Sequence, residues 1–378
     1  MKPVRLIATA AAALTLATLA GTAPAQADMP TAIGLLQAGA QQGVKDGYPG
    51  VIGLLRDGDT VRYAQAGTGD TATGVPADPK AQFRIGSNTK AFTATVLLQL
   101  EAEGRLSLDD TVAKWLPGAV AANGYDGSKI TLRELLNHTS GLPDYDNAVQ
   151  FALSYSTDPN RAWPPQSLVD LALAQHAPSA APGQQWSYAN TNFVLAGMVI
   201  KAVTGNDPAT EIQHRIIDRL GLTGTSFPTS DPTLHGNYLH GYEYQWLGLT
   251  RADVTVSNVQ AFGPAGAMVS TLDDLAAFTR ALLNGTLLPP AQEAELKTTV
   301  PTTNTGMRYG LGIAQEQTSC GKTVWTHNGA VLGYFSFWAA TDDGRQQLVE
   351  ANDEYHFDAG TKGIQDTGTA AFNAFCSL

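Results

Sequence analysis

The stretch RIGSNTKAFTATVLLQL, Arg84 to Leu100, decides how the chain is read. No residue from Ala91 to Leu100 is charged, so Lys90 stands at the start of an apolar run with a helical pattern rather than on a solvated face. If the helix begins near Ser87, positions 87 and 90 share one face, one turn apart. The Ser87 hydroxyl then lies among the unpaired amide donors of the helix start, where developing negative charge is favoured. Desolvation lowers the pKa of an ammonium in that setting and lets neutral lysine accept the serine proton. The same residues also fit a plain helix cap with an outward-reaching lysine. The uncharged run after Lys90 favours the nucleophile and its activator.

The bulk composition suits a large packed protein. The chain has 378 residues, 43% hydrophobic and 15% charged, with a formal net charge of −11. An acidic balance argues against nucleic acid and gives no attraction to anionic lipid. MKPVR followed by LIATAAAALTLATLA and APAQA reads as a secretory signal peptide over residues 1–27, with an Ala25-x-Ala27 cleavage pattern. No later segment approaches the roughly 20 apolar residues of a membrane span. These features predict a secreted, extracellular protein. Two cysteines, Cys320 and Cys376, are expected to pair in an oxidising compartment. They are too few for a structural zinc site, and the histidines form no recognised zinc arrangement, so no metal and no cofactor is expected.

Strand signals gather at the two ends of the chain. TAIGLLQAGAQQGV fits an amphipathic helix, and VIGLLRDGDTVRYAQAG fits two strands around an Asp-Gly turn. TVWTHNG, YFSFWAATDDGR and QQLVEAN read as three successive strands, followed from about Gly360 by a closing helix. Helical runs such as LREL, SLVDLALAQ, NFVLAGMVIKAV and TLDDLAAFTRALLNG occupy the middle. The pattern predicts an α/β plus all-α architecture: an antiparallel sheet formed by N- and C-terminal segments, with an inserted helical domain. The expected divisions are 28–86 and 301–378 for the two parts of the α/β domain and 87–300 for the mainly helical domain. GTGDTATG is read as a turn after the hairpin, which excludes a nucleotide loop.

Two further clusters carry chemistry. Tyr188 and Asn190 lie two apart in a polar turn before a hydrophobic helix. A phenol beside an ammonium can relay a proton, and an asparagine amide can hold the lysine or donate to a substrate carbonyl. The alternative is a local turn with a packed tyrosine. His327, Asn328 and Gly329 sit near the end of a strand whose edge can accept substrate backbone and offer an amide as half of an oxyanion hole, the Ser87 amide being the other half. Gly329 permits close backbone approach. His327 also fits an ordinary partly buried histidine. His138, in LLNHTSGL, is read as ending a helix.

Together these elements resemble the penicillin-recognising serine hydrolases, in particular secreted actinobacterial D-alanyl-D-alanine carboxypeptidases and their class C β-lactamase relatives. Ser87-Asn88-Thr89-Lys90 matches S-x-x-K, Tyr188-Ala189-Asn190 matches Y-x-N, and His327-Asn328-Gly329 stands where the family has H/K-T/S-G. LLNHTSGL, SYANTNFVLAG, GPAGAMVSTLDDL and YGLGI add local likeness. The resemblance implies a β-lactamase/transpeptidase-like fold with its site at the junction of the two parts. It implies that Ser87 is acylated, that Lys90 and Tyr188 move protons, and that the Ala330 amide completes the oxyanion hole. Asn190, His327, Asn328 and Gly329 are expected on the substrate side, with a small peptide, amide or ester as substrate and a covalent β-lactam adduct.

Two departures bear on substrate. Asn328 replaces the hydroxyl that helps hold a terminal carboxylate, and Ala314 and Glu316 stand where a cation would assist. The function the resemblance implies is a D-alanyl-D-alanine carboxypeptidase, and these departures make a D-stereospecific amidase, aminopeptidase or esterase the alternative. An inactive penicillin-binding module is the reading from a different class.

Overall fold

The computed structural model describes residues 29–158, 161–244, 250–353 and 360–378, and the signal-peptide reading of 1–27 lies outside them. Nine strands form one sheet in the order Val75–Pro76, Thr60–Asp70, Gly50–Asp57, Gln346–Asn352, Tyr334–Ala340, Thr323–Val331, Ala314–Gln317, Met307–Tyr309 and Val300–Pro301. Every neighbouring pair is antiparallel. The chain ends meet where Val51 pairs with Asn352 and Asp57 with Gln346.

Both faces of the sheet are covered, which explains why VIGLL and YFSFWAA read as nearly continuous apolar runs. Val51, Leu55, Phe335 and Phe337 pack under the terminal helices Met29–Lys45 and Gly360–Cys376. Ile52, Leu54 and Trp338 face the larger core of the helical region. At its centre runs the Thr89–Ala102 helix, whose residues from Thr89 to Leu100 are all buried. An apolar helix of this kind owes its stability to packing rather than to a solvent-facing stripe. Cys320 and Cys376 form a disulfide that ties the strand region to the end of the closing helix.

The short strands Val300–Pro301, Met307–Tyr309 and Ala314–Gln317 extend the sheet beyond what the sequence pattern announced. GTGD is not a turn: Thr60–Asp70 continues through it, and an irregularity between Thr68 and Asp70 leads to the Val75–Pro76 edge. Small residues let that strand pass close to its neighbours, as Gly67 shows: a Cβ there would lie 2.0 Å from the Pro49 carbonyl oxygen.

One buried acid marks the sheet's interior. Glu350 is 1% exposed, and burial lifts its pKa to about 8. Between the unfolded value of about 4.3 and that folded value, the native state holds one more proton than the unfolded chain. Stability therefore falls as pH rises through this window and levels off above it. Glu350→Gln should raise the melting temperature at neutral pH, where it adds on the order of 4 kcal/mol of stability, and change it little below pH 5. Thermal melts of both proteins from pH 5 to 9 check this, and superimposable curves at pH 8 would contradict it.

Candidate active site

Ser87 stands where the sheet, the central helix and the helical region meet. Phe83–Arg84 pairs with Val269–Ser270, and the Ile85 amide donates to the Met268 carbonyl at 3.0 Å. The chain then turns through the 3₁₀ segment Gly86–Asn88 into the helix. Asn88 Nδ2 donates to Ser336 Oγ at 3.0 Å and ties the turn to the sheet. Two glycines allow the contact. Gly86 has φ +51°, and a Cβ on it would lie 2.7 Å from the Ala330 nitrogen. A Cβ on Gly329 would lie 1.9 Å from the Ile85 oxygen and 2.9 Å from the Ser87 nitrogen. The amides of Ser87 and Ala330 thus flank one tight backbone crossing, an arrangement able to hold an oxyanion.

Lys90 is fully buried. Its Nζ lies 3.0 Å from Ser87 Oγ, 2.6 Å from Asn190 Oδ1 and 2.8 Å from the Ala265 carbonyl oxygen. Asn190 Nδ2 donates to Asp146 Oδ2 at 3.0 Å, which fixes its oxygen toward the lysine. Two of the three partners can only accept. A neutral amine would give its two N–H groups to them and turn its lone pair to Ser87. Burial pulls the Lys90 pKa down to about 7, against the opposing pull of Asp144 and Asp146. Burial, and then Asp146, pushes the Asp144 carboxyl well above its ordinary range.

The Tyr188 side chain neighbours Ser87, and its ring centroid lies 4.8 Å from Lys90 Nζ. Burial raises its pKa strongly, so the hydroxyl keeps its proton. His138 packs against the Tyr188 ring at 4.3 Å. His327 Nδ1 lies 2.6 Å from the Asn328 carbonyl oxygen, which cannot donate, so Nδ1 carries the proton. Nε2 then accepts from the Tyr309 hydroxyl at 2.8 Å. Burial, followed by Lys90, lowers the His327 pKa to about 3.

The structure gathers Ser87, Lys90, Tyr188, Asn190, His327, Gly329 and the Ala330 backbone around one point. His327 has both ring nitrogens engaged within the protein, so it acts on its surroundings by shape and hydrogen bonding rather than by charge. Asn328 pairs with Phe337, whose ring packs on the closing helix, and strand alternation sets the Asn328 side chain on that face. Glu316 pairs with Val324 of the same core, which sets it on the terminal-helix face as well. Its expected charge beside the substrate is also weakened, because burial raises its pKa to about 7.

Sequence reasoning missed Asp146, Asp144, His138 and Tyr309. The pair of acids in PDYDN had no spacing signal linking it to Lys90, since the connection runs through Asn190. Tyr309 lay in the quoted YGLGI, but its contact with His327 depends on strand register.

Comparison with known proteins agrees with this geometry. A family model described as Beta-lactamase matches residues 35–354, and the chain belongs to that family. It is a beta-lactamase-fold serine hydrolase. It is 28% identical over 322 residues to penicillin-binding protein 4* of Bacillus subtilis, covering 81% of this chain and 68% of that one. Protein flp of Staphylococcus aureus is 30% identical over 202 residues, 53% of this chain and 39% of its own length. Among solved structures, a D-stereospecific amidohydrolase from a Streptomyces species superposes with a TM-score of 0.83 at 39% identity, over 90% of this chain and 98% of that one. The D-amino acid amidase of Ochrobactrum anthropi, in complex with D-phenylalanine, gives 0.77 at 25% identity, over 91% and 99%.

The glycine crossing gives a direct test. Gly329→Ala should push the strand off the Ser87 turn and reduce serine-dependent hydrolysis by at least ~100-fold. Steady-state kinetics beside circular dichroism measures this. Activity within a few-fold of the unsubstituted protein would show that the crossing does not hold the Ser87 amide.

Proposed function

We propose that this chain hydrolyses amide bonds with a D-configured residue on the acyl side, through an acyl-enzyme on Ser87. The observation that carries the reading is the Lys90 contact: Nζ lies 3.0 Å from Ser87 Oγ while its other two partners are obligate acceptors. Neutral Lys90 takes the Ser87 proton as Oγ bonds to the substrate carbonyl carbon. The oxyanion forms between the Ser87 and Ala330 amides. Tyr188 relays that proton from Lys90 to the leaving nitrogen as the C–N bond breaks, which leaves Lys90 neutral again; water then attacks the ester as Lys90 takes its proton, and that proton returns to Ser87 Oγ as the acyl–oxygen bond breaks.

D-amide specificity draws on the likeness to the Streptomyces amidohydrolase. A D-alanyl-D-alanine carboxypeptidase shares the D-configured acyl donor but must also hold the carboxylate of its leaving residue. The strand beside Thr323–Val331 offers Ala314, Gln315, Glu316 and Gln317, without a cation for that task. The likeness to penicillin-binding protein 4* keeps the carboxypeptidase as the second reading and motivates a covalent β-lactam adduct on Ser87. Secretion is part of the proposal, supported by residues 1–27 and by the disulfide.

The deciding experiment compares D-phenylalanine amide, its L-enantiomer and a D-alanyl-D-alanine tripeptide, each with a Ser87→Ala control. Serine-dependent release of ammonia from the D-amide at the highest kcat/KM is expected. Faster release of terminal D-alanine would move the assignment to the carboxypeptidase. Turnover of none of them, with no Ser87 adduct from benzylpenicillin by intact mass, would overturn the hydrolase reading itself.

A further inference from the structure

The tyrosine that meets Ser87 sits on a segment belonging to no helix or strand. Residues 185–189 have no regular hydrogen-bonding pattern of their own before the Asn190–Thr204 helix begins. A side chain on such a segment needs outside support to hold a fixed direction. His138 supplies it from the end of the Leu132–Leu136 helix.

His138 is fully buried and has φ +61°, a left-handed backbone that is uncommon outside glycine. That turn brings two acceptors to one side. Its carbonyl oxygen accepts from the Ser187 amide at 2.9 Å, and its Nδ1 accepts from the Ala189 amide at 3.2 Å. The amides immediately before and after Tyr188 are therefore both held by the same residue, whose ring also packs on the tyrosine ring at 4.3 Å. Asn192 Nδ2 lies 3.1 Å from the same Nδ1, and its Oδ1 accepts from the Ser140 hydroxyl at 2.6 Å. Nδ1 thus faces two donors, which places the ring proton on Nε2. Nε2 is enclosed and meets no hydrogen-bond partner among the described residues. A leucine or phenylalanine would fill the space without burying that N–H, so the accepting Nδ1 is what accounts for an imidazole here.

We infer that His138 is a positioning residue for Tyr188: it clamps the two peptide amides that flank the tyrosine and packs on its ring, so that the hydroxyl stays on Ser87. The inference rests on the reading in which Ser87 is acylated and Tyr188 moves a proton. It goes beyond a helix-ending role, which the left-handed turn alone would satisfy.

A double-mutant cycle tests it, with D-phenylalanine amide as substrate and His138→Ala, His138→Asn and Tyr188→Phe as variants. His138→Ala should lower kcat roughly 100-fold through misplacement of the hydroxyl, with KM nearly unchanged. His138→Asn tolerates the left-handed backbone and keeps one accepting oxygen, so it should recover part of the loss. In the Tyr188→Phe background the His138 substitutions should matter little, because the group they position is gone. Full multiplication of the two effects would overturn the clamp, as would an unchanged kcat in the single variants. If His138→Ala does not fold, His138→Asn carries the same cycle. Absence of Ser87-dependent turnover in the unsubstituted protein, or no effect of Tyr188→Phe alone, would instead sink the underlying reading and the clamp with it.

Discussion

A buried lysine, with three hydrogen-bonding atoms around it among the described residues, constrains the rest of this molecule. Burying an ammonium without a matching charge in direct contact is unfavourable, and the protein answers by making the neutral form accessible. The Ala265 carbonyl oxygen and the Asn190 amide oxygen accept from Lys90, and the remaining position is Ser87 Oγ. Asp146 acts at one remove, by orienting Asn190. A carboxylate in direct contact would have held the lysine charged and removed its use as a base. The amide between them keeps the acid's influence while leaving the lone pair free to face the serine.

The fold exists around that contact. The Thr89–Ala102 helix can be apolar on all sides because the sheet and the helical region enclose it. The Thr323–Val331 strand reaches Ser87 only because Gly86 and Gly329 remove the side chains that would separate the two backbones. The sheet itself is closed by pairing the strand near the start of the chain with the strand near its end. Long-range pairing of this kind places the nucleophile's turn and the oxyanion strand, more than two hundred residues apart in sequence, against each other.

Much of this was legible in the sequence because it rests on local patterns. The uncharged run after Lys90, the Asp-Gly hairpin and the three C-terminal strands each carry their own local signal. The QQLVEAN strand and the closing helix from Gly360 coincide with the observed elements. What escaped depends on register and on contacts across the chain. Strand alternation alone sends Asn328 and Glu316 to the face of the terminal helices, and no single-sequence motif shows which way a short edge strand is phased. His138 looked like a helix terminator because its backbone does end a helix. Its second part in the site emerges only when Ser187 and Ala189 are brought to it.

The substrate question follows from the same geometry. A D-configured acyl donor suits both readings of this site, and they part at the leaving group, where a free carboxylate needs a cation and ammonia does not. The central claim, that Lys90 is a base at neutral pH, is independent of that choice. It is tested most directly by the rate at which a small sulfonyl fluoride modifies Ser87, followed by intact mass between pH 5 and 10. A single limb rising with pH, with its midpoint near the lysine value of about 7, and lost in Lys90→Met, is predicted. A flat profile, or a midpoint close to the ordinary lysine value of about 10.4, would contradict it.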